Sequence, residues 1–208
     1  MSRSQATPWL ERTRRPATAV YIDQPWERYF HLIRLALPKI ERLGWVYGPT
    51  LRAEVPRVQQ AARAAGLSLE SLALQPGDNL SQRLDALLPK VDALLAPADP
   101  AVVRPDTAYA LLLTTYHHHV PVIGYSKAFV DVGALVAVYA TLAQQGRQAA
   151  MLAAGILRTP GRSLPPPQLA DAITVAVNPQ VVRSLHLVMP EAATLEKALS
   201  PSTNPSLK

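Results

Sequence analysis

Short apolar runs alternate along the chain with longer stretches whose apolar residues recur every three or four positions. Runs of the first kind, at 18–22, 43–47, 67–74, 91–96, 120–123, 135–139 and 173–177, predict strands. Stretches of the second kind predict helices over 26–37, 52–65, 79–88, 105–116 and 142–157, with a last helix opening at Asn178-Pro179. Asp23-Gln24-Pro25 offers a cap and a first-turn proline to the first of these helices, which places Trp26, Tyr29, Phe30, Ile33 and Leu37 near one face. Pro56 fits the second helix only if it lies in the first turn. Gly66 reads as its C-terminal cap. The proline-rich stretch 158–168 reads as a loop or crossing segment, and the polar stretch after Ser200 as a frayed tail.

Strands alternating with helices predict an α/β fold: a parallel sheet with helices on both faces. In such sheets ligands bind beyond the carboxyl ends of the strands. Three turns stand there. Gly48, Pro49 and Thr50 follow one strand, Pro97, Ala98 and Asp99 another, and Gly124, Tyr125 and Ser126 a third. These are the candidate ligand-binding residues. Asp99, a carboxylate between two prolines, suits a ligand ammonium, and equally suits a turn that it caps itself. Tyr125 and Ser126 have groups that hydrogen-bond a ligand, although a cap for the next helix also explains Ser126.

Composition narrows the chemistry. With 49% hydrophobic residues in 208, the chain has enough apolar side chains for a packed core. The absence of cysteine excludes disulfides, zinc–thiolate sites and thiol catalysis. The net charge is +6, but beyond Arg3, Arg12, Arg14 and Arg15 the basic residues are scattered, so no nucleic-acid partner is expected. His117-His118-His119 lacks metal-ligand spacing, and no metal site is expected. Neither GxGxxG, GxxxxGK[ST] nor GxSxG occurs, and no nucleophile–base pair declares itself. The expectation is a non-enzyme without a cofactor. No run of about 18 apolar residues predicts membrane insertion, and the first 17 residues contain no apolar signal core. Taken literally, that keeps the chain in the cytoplasm.

Four ordered segments resemble the substrate-binding proteins of bacterial ABC transporters, which adopt the type I periplasmic-binding fold, and among them the tryptophan/tyrosine-binding members. They are AVYIDQPWERYFHLIRLALPKIERLGWVYGPT (19–50), VDALLAPADPAVV (91–103), VPVIGYSKAFVDVGALVAVYATLAQQGRQAAMLAAGIL (120–157) and ITVAVNPQVVRSLHLVMP (173–190). The resemblance implies two α/β lobes with a small solute, an amino acid as the first choice, trapped between them. It matches Asp99 to the family's ammonium-binding aspartate and Gly124-Tyr125-Ser126 to a second cleft-lining loop. It divides the chain into a disordered basic start (1–16), the end of an N-terminal lobe with a crossing segment (17–42), a C-terminal lobe (43–169), a return segment (170–198) and a tail (199–208). The expected protein is then mainly a C-terminal lobe, truncated relative to the family and lacking its export signal. An ABC permease subunit is the implied partner, a homodimer a possible state, and the periplasm the implied location. A stand-alone cytoplasmic sensor or interaction domain is the alternative. His186 stands where the family usually has a helix-ending glycine, and a left-handed backbone there would cost about 1 kcal/mol.

Overall fold

The period-2 alternation of the strands sends their side chains to two separate cores. The computed structural model describes residues 2–13, 15–102, 104–159 and 163–200. Among these residues six strands form one sheet: β1 (Arg42–Tyr47), β2 (Ser68–Ala73), β3 (Ala93–Leu95), β4 (Val122–Gly124), β5 (Val136–Tyr139) and β6 (Thr174–Val177), in the spatial order β2-β1-β3-β4-β5-β6. Leu43, Trp45, Leu95, Ile123, Val136 and Val138 face a core shared with helices α2 (Trp26–Ala36) and α3 (Val55–Ala64). Val46, Leu94, Val122 and Ala137 face the other core, with α4 (Leu80–Leu87), α5 (Pro105–His117) and the short α6 (Lys127–Asp131).

Neighbouring strands from β2 to β5 pair in parallel. The expectation of a parallel sheet fails only at β6, which is antiparallel to β5. The path of the chain explains the reversal. After β5 comes α7 (Leu142–Leu157), and then the chain runs beside residues 19–23, where Tyr21 and Ala170 donate backbone hydrogen bonds to Gln168 and Asp23. Leu169 borders the rim where the parallel strands end, so β6 enters the sheet from that rim.

Several expectations are corrected. Residues 18–22 form no strand of the sheet, only the isolated parallel bridge of Val20 to Gln168. The start, expected to be disordered, contains helix α1 (Arg3–Arg12), whose Ala6 is buried. Pro25 is the N-cap of α2, not its first residue, and Asp23 does not cap that helix. Pro56 falls in the first turn of α3 because a 3₁₀ segment, Pro49–Glu54, precedes that helix. α2, β6 and the last helix, α9 (Ala192–Leu199), all pack on this sheet. The polar tail after Ser200 lies outside the described residues.

α7 differs from the other long helices. Among its described residues it buries only Gln148, which hydrogen-bonds Leu169 O and Asp171 N, while Leu142, Met151 and Leu157 are exposed.

Among the described residues, four helices end in the same turn. A bond from the residue after the turn back to a carbonyl five residues earlier closes α3, α5, α6 and the short helix α8 (Pro179–Ser184). The turn residue is left-handed each time: Gly66, His119 (φ 56), Gly133 and His186 (φ 51). Left-handed backbone strains a residue with a Cβ. His119→Gly and His186→Gly are therefore each expected to raise the unfolding free energy by about 0.5–1 kcal/mol, net of the added chain entropy. Urea denaturation checks this; a loss of stability in both would contradict the strain.

Candidate ligand site at the carboxyl rim

β1, β3 and β4 are adjacent and parallel, so the turns that follow them share one edge of the sheet. Two of them are bonded together. Asp99 accepts from Gly48 N and Thr50 Oγ1, both at 3.0 Å, and from Ala101 N at 2.8 Å. Its side chain is wholly buried. In this geometry Asp99 holds the turns: its carboxylate ties 48–50 to 97–101. Gly48 is needed there because a Cβ would lie 2.5 Å from Ala101 Cβ and 2.7 Å from Asp99 Oδ1. Pro49 and Thr50 are exposed on the rim.

The third turn is local in the same sense. Ser126 Oγ accepts from Phe129 N at 3.2 Å and caps α6. β4 ends in Gly124 because the Phe129 ring lies where its Cβ would be, 2.7 Å away. Tyr125 is half-buried against Phe129, with ring centroids 5.5 Å apart.

A narrow crevice, with a cavity volume of about 30 Å³, lies on the same rim, and Arg3 is part of its wall. Of the expected site residues, Pro97 and Ala98 line it. Its wall also includes Asp23, Trp26 and Tyr29, which the sequence presents as a helix cap and a helix face, together with Glu54 and with Arg3 of α1. Trp26 stacks edge-on against Trp45 at 5.7 Å, and Trp45 lies flat against Tyr47 at 4.2 Å. That aromatic column anchors the start of α2 to β1. Trp26 Nε1 donates to Glu54 Oε2 at 3.0 Å, and Asp23 Oδ2 accepts from the Arg3 amide at 2.6 Å.

Burial governs the titration of these groups. Desolvation raises the Asp23 carboxyl above the usual carboxylate range, against the lowering effect of the Arg3 amide. It also raises the Tyr29 phenol, with Asp23 and Tyr125 adding to the effect. The Tyr125 phenol is itself raised by burial. Asp23 had the sequence signal of a helix cap, and Trp26 and Tyr29 that of a buried helix face. Nothing local in the sequence showed that β1, β3 and α2 would bring them together.

A parallel sheet with polar turns and a crevice at its carboxyl rim is the architecture of a small-molecule-binding lobe. The chain belongs to the ABC transporter substrate binding protein family, whose model matches residues 7–199. Among solved structures it is similar to a conserved domain protein from Vibrio cholerae, at 23% identity and a TM-score of 0.70, over 86% of this chain and 61% of that one. It is also similar to an ABC domain in complex with L-Trp from Streptococcus pneumonia, at 18% identity and a TM-score of 0.70, over 87% and 61%. A third is the ligand-free, open structure of a substrate binding protein with adhesive properties from Clostridium difficile, at 19% identity and a TM-score of 0.68, over 84% and 59%. These likenesses show the periplasmic-binding fold. The chain covers 59–61% of the length of these three structures. No curated protein matches the chain. No helix among the described residues is long and apolar enough to cross a membrane.

Proposed function

We propose that this chain is the solute-binding component of a bacterial ABC importer and that it holds an amino acid against its carboxyl rim. The observation that carries this reading is the convergence, beside one crevice, of the turn 97–98 with the carboxylates Asp23 and Glu54 and the aromatic start of α2. Carboxylates suit an ammonium, and the Trp26 and Tyr29 rings suit an apolar stem. Gly48, Thr50 and Asp99 act one step back, by fixing the turn.

The mechanism is binding without bond chemistry. A second α/β lobe closes over the rim, and the solute biases the open–closed equilibrium by contacting both walls. The exposed apolar side chains of α7, Leu142, Met151 and Leu157, are surface that such a lobe would cover. The closed form then docks on a permease at the periplasmic face of the membrane. Titration calorimetry with a panel of the common amino acids tests the solute class. Saturable heat is expected from one chemical group of them, and no heat from any would remove amino acids as ligands.

A further inference from the structure

Arg3 engages the rim crevice with two parts of the same residue. Its backbone amide donates to Asp23 Oδ2 at 2.6 Å, and its guanidinium pairs with Glu54 Oε1 at 3.1 Å. The other Glu54 oxygen accepts from Trp26 Nε1, so this carboxylate is held in place before any cation arrives. Its side chain is 16% exposed, while that of Arg3 is 43% exposed, so the carboxylate is sheltered and the cation reaches it from solvent. Capping of α1 explains the bond to Asp23. It does not explain Glu54, which ends the 3₁₀ segment after β1.

A free basic amino acid presents the same two groups on one Cα: a nitrogen on the α-carbon and a cation at the end of an apolar stem. We infer that the crevice is a site for a basic amino acid of the arginine type, its α-ammonium on Asp23 and its guanidinium on Glu54, and that Arg3 sits there as an internal competitor. The inference rests on the solute-binding reading above and names the ligand class of that site. An α-ammonium is charged where the Arg3 amide is neutral, so the free ligand gains a charge-assisted bond at Asp23. The planar guanidinium matches a carboxylate better than a lysine ammonium does. Arg57 lines the same wall and is only loosely engaged by Glu27, at 3.8 Å. Among the described residues it is a cation of the crevice wall that suits the ligand's own carboxylate. While Arg3 occupies the seat, the apparent affinity falls by the fraction of time the seat is open.

The test is titration calorimetry on the full chain with L-arginine, N-acetyl-L-arginine and L-leucine. Wild type is compared with Arg3→Ala and with Arg3→Gln, which keeps the stem and removes the charge; thermal unfolding confirms that each folds. Both variants clear the cation from Glu54 and keep the residue-3 amide on Asp23, which the ligand's charged ammonium must still displace; on that basis both are expected to bind L-arginine at least tenfold more tightly than wild type. Arg3→Lys, which retains a cation, should be intermediate. Adding Glu54→Gln to Arg3→Ala should lower arginine affinity at least tenfold, and N-acetyl-L-arginine should bind more weakly than L-arginine. Equal affinity in wild type and both charge-removing variants would overturn the inference, as would a gain that survives Glu54→Gln. Binding of L-leucine with no response to L-arginine would overturn it too, and would leave the solute-binding reading standing. Absence of binding by every amino acid of the wider panel, in wild type and variants alike, would overturn both this inference and the amino-acid ligand class on which it rests.

Discussion

Asp99→Ala lowers the unfolding free energy by about 3 kcal/mol, because three donors lose their acceptor in a buried site. Those donors are Gly48 N, Thr50 Oγ1 and Ala101 N, and the carboxylate that serves them has no exposed surface. Thr50 is exposed and recovers a partner in water; the two backbone amides carry most of the loss. Asp99→Asn costs less, about 1–2 kcal/mol, because the amide keeps one acceptor oxygen but turns an NH₂ toward a donor. Chemical denaturation of the two variants beside wild type checks both figures. If Asp99 instead faced an open cleft, its replacement would change stability by less than about 0.5 kcal/mol, as surface substitutions usually do.

Gly48→Ala is the second large effect. The backbone at Gly48 is extended, with φ −96, so alanine suffers no conformational strain. The cost is space: the new methyl would meet Ala101 Cβ at 2.5 Å and Asp99 Oδ1 at 2.7 Å. Neither neighbour is the free end of a long side chain, so the turns themselves must separate. Overpacking of this kind costs about 2–3 kcal/mol. Gly48→Ala and Asp99→Ala damage the same junction, so the double variant should lose at least about 0.5 kcal/mol less than the sum of the single variants. Strict additivity, measured by the same denaturation series, would mean that the two residues act independently.

The sheet was legible wherever a strand stands between clear stops. Each of the five parallel strands lies within or one residue beyond its apolar run, and α7 has both of its expected ends. Residues 18–22 show what the pattern cannot carry. Their β-branched run reads like a strand, but it meets only Gln168 and never joins the sheet. β6 was found by its apolar run, yet its direction depends on the path of 163–172 along the rim, which periodicity does not encode. α6, at five residues, is too short to show a period and announces itself only through the cap of Ser126. At the site, the placement of three turns on one edge followed from strand order in a parallel fold. The roles within those turns did not. Asp99 looked equally suited to a ligand and to its own turn, and only the positions of Gly48, Thr50 and Ala101 show the turns that it holds. Asp23 and Glu54 are 31 positions apart in the chain; they share a wall because α2 packs on β1 through Trp26 and Trp45.

Amide shift mapping of the isotope-labelled chain, titrated with whichever amino acid gives the largest heat, tests the central claim most directly. The account predicts saturable shifts clustered at 23–29, 48–54, 97–99 and 125–126, the carboxyl rim of the sheet. Shifts confined to the opposite edge, near 41–42 and 91–92, or to the outer faces of α5 and α8, would contradict it.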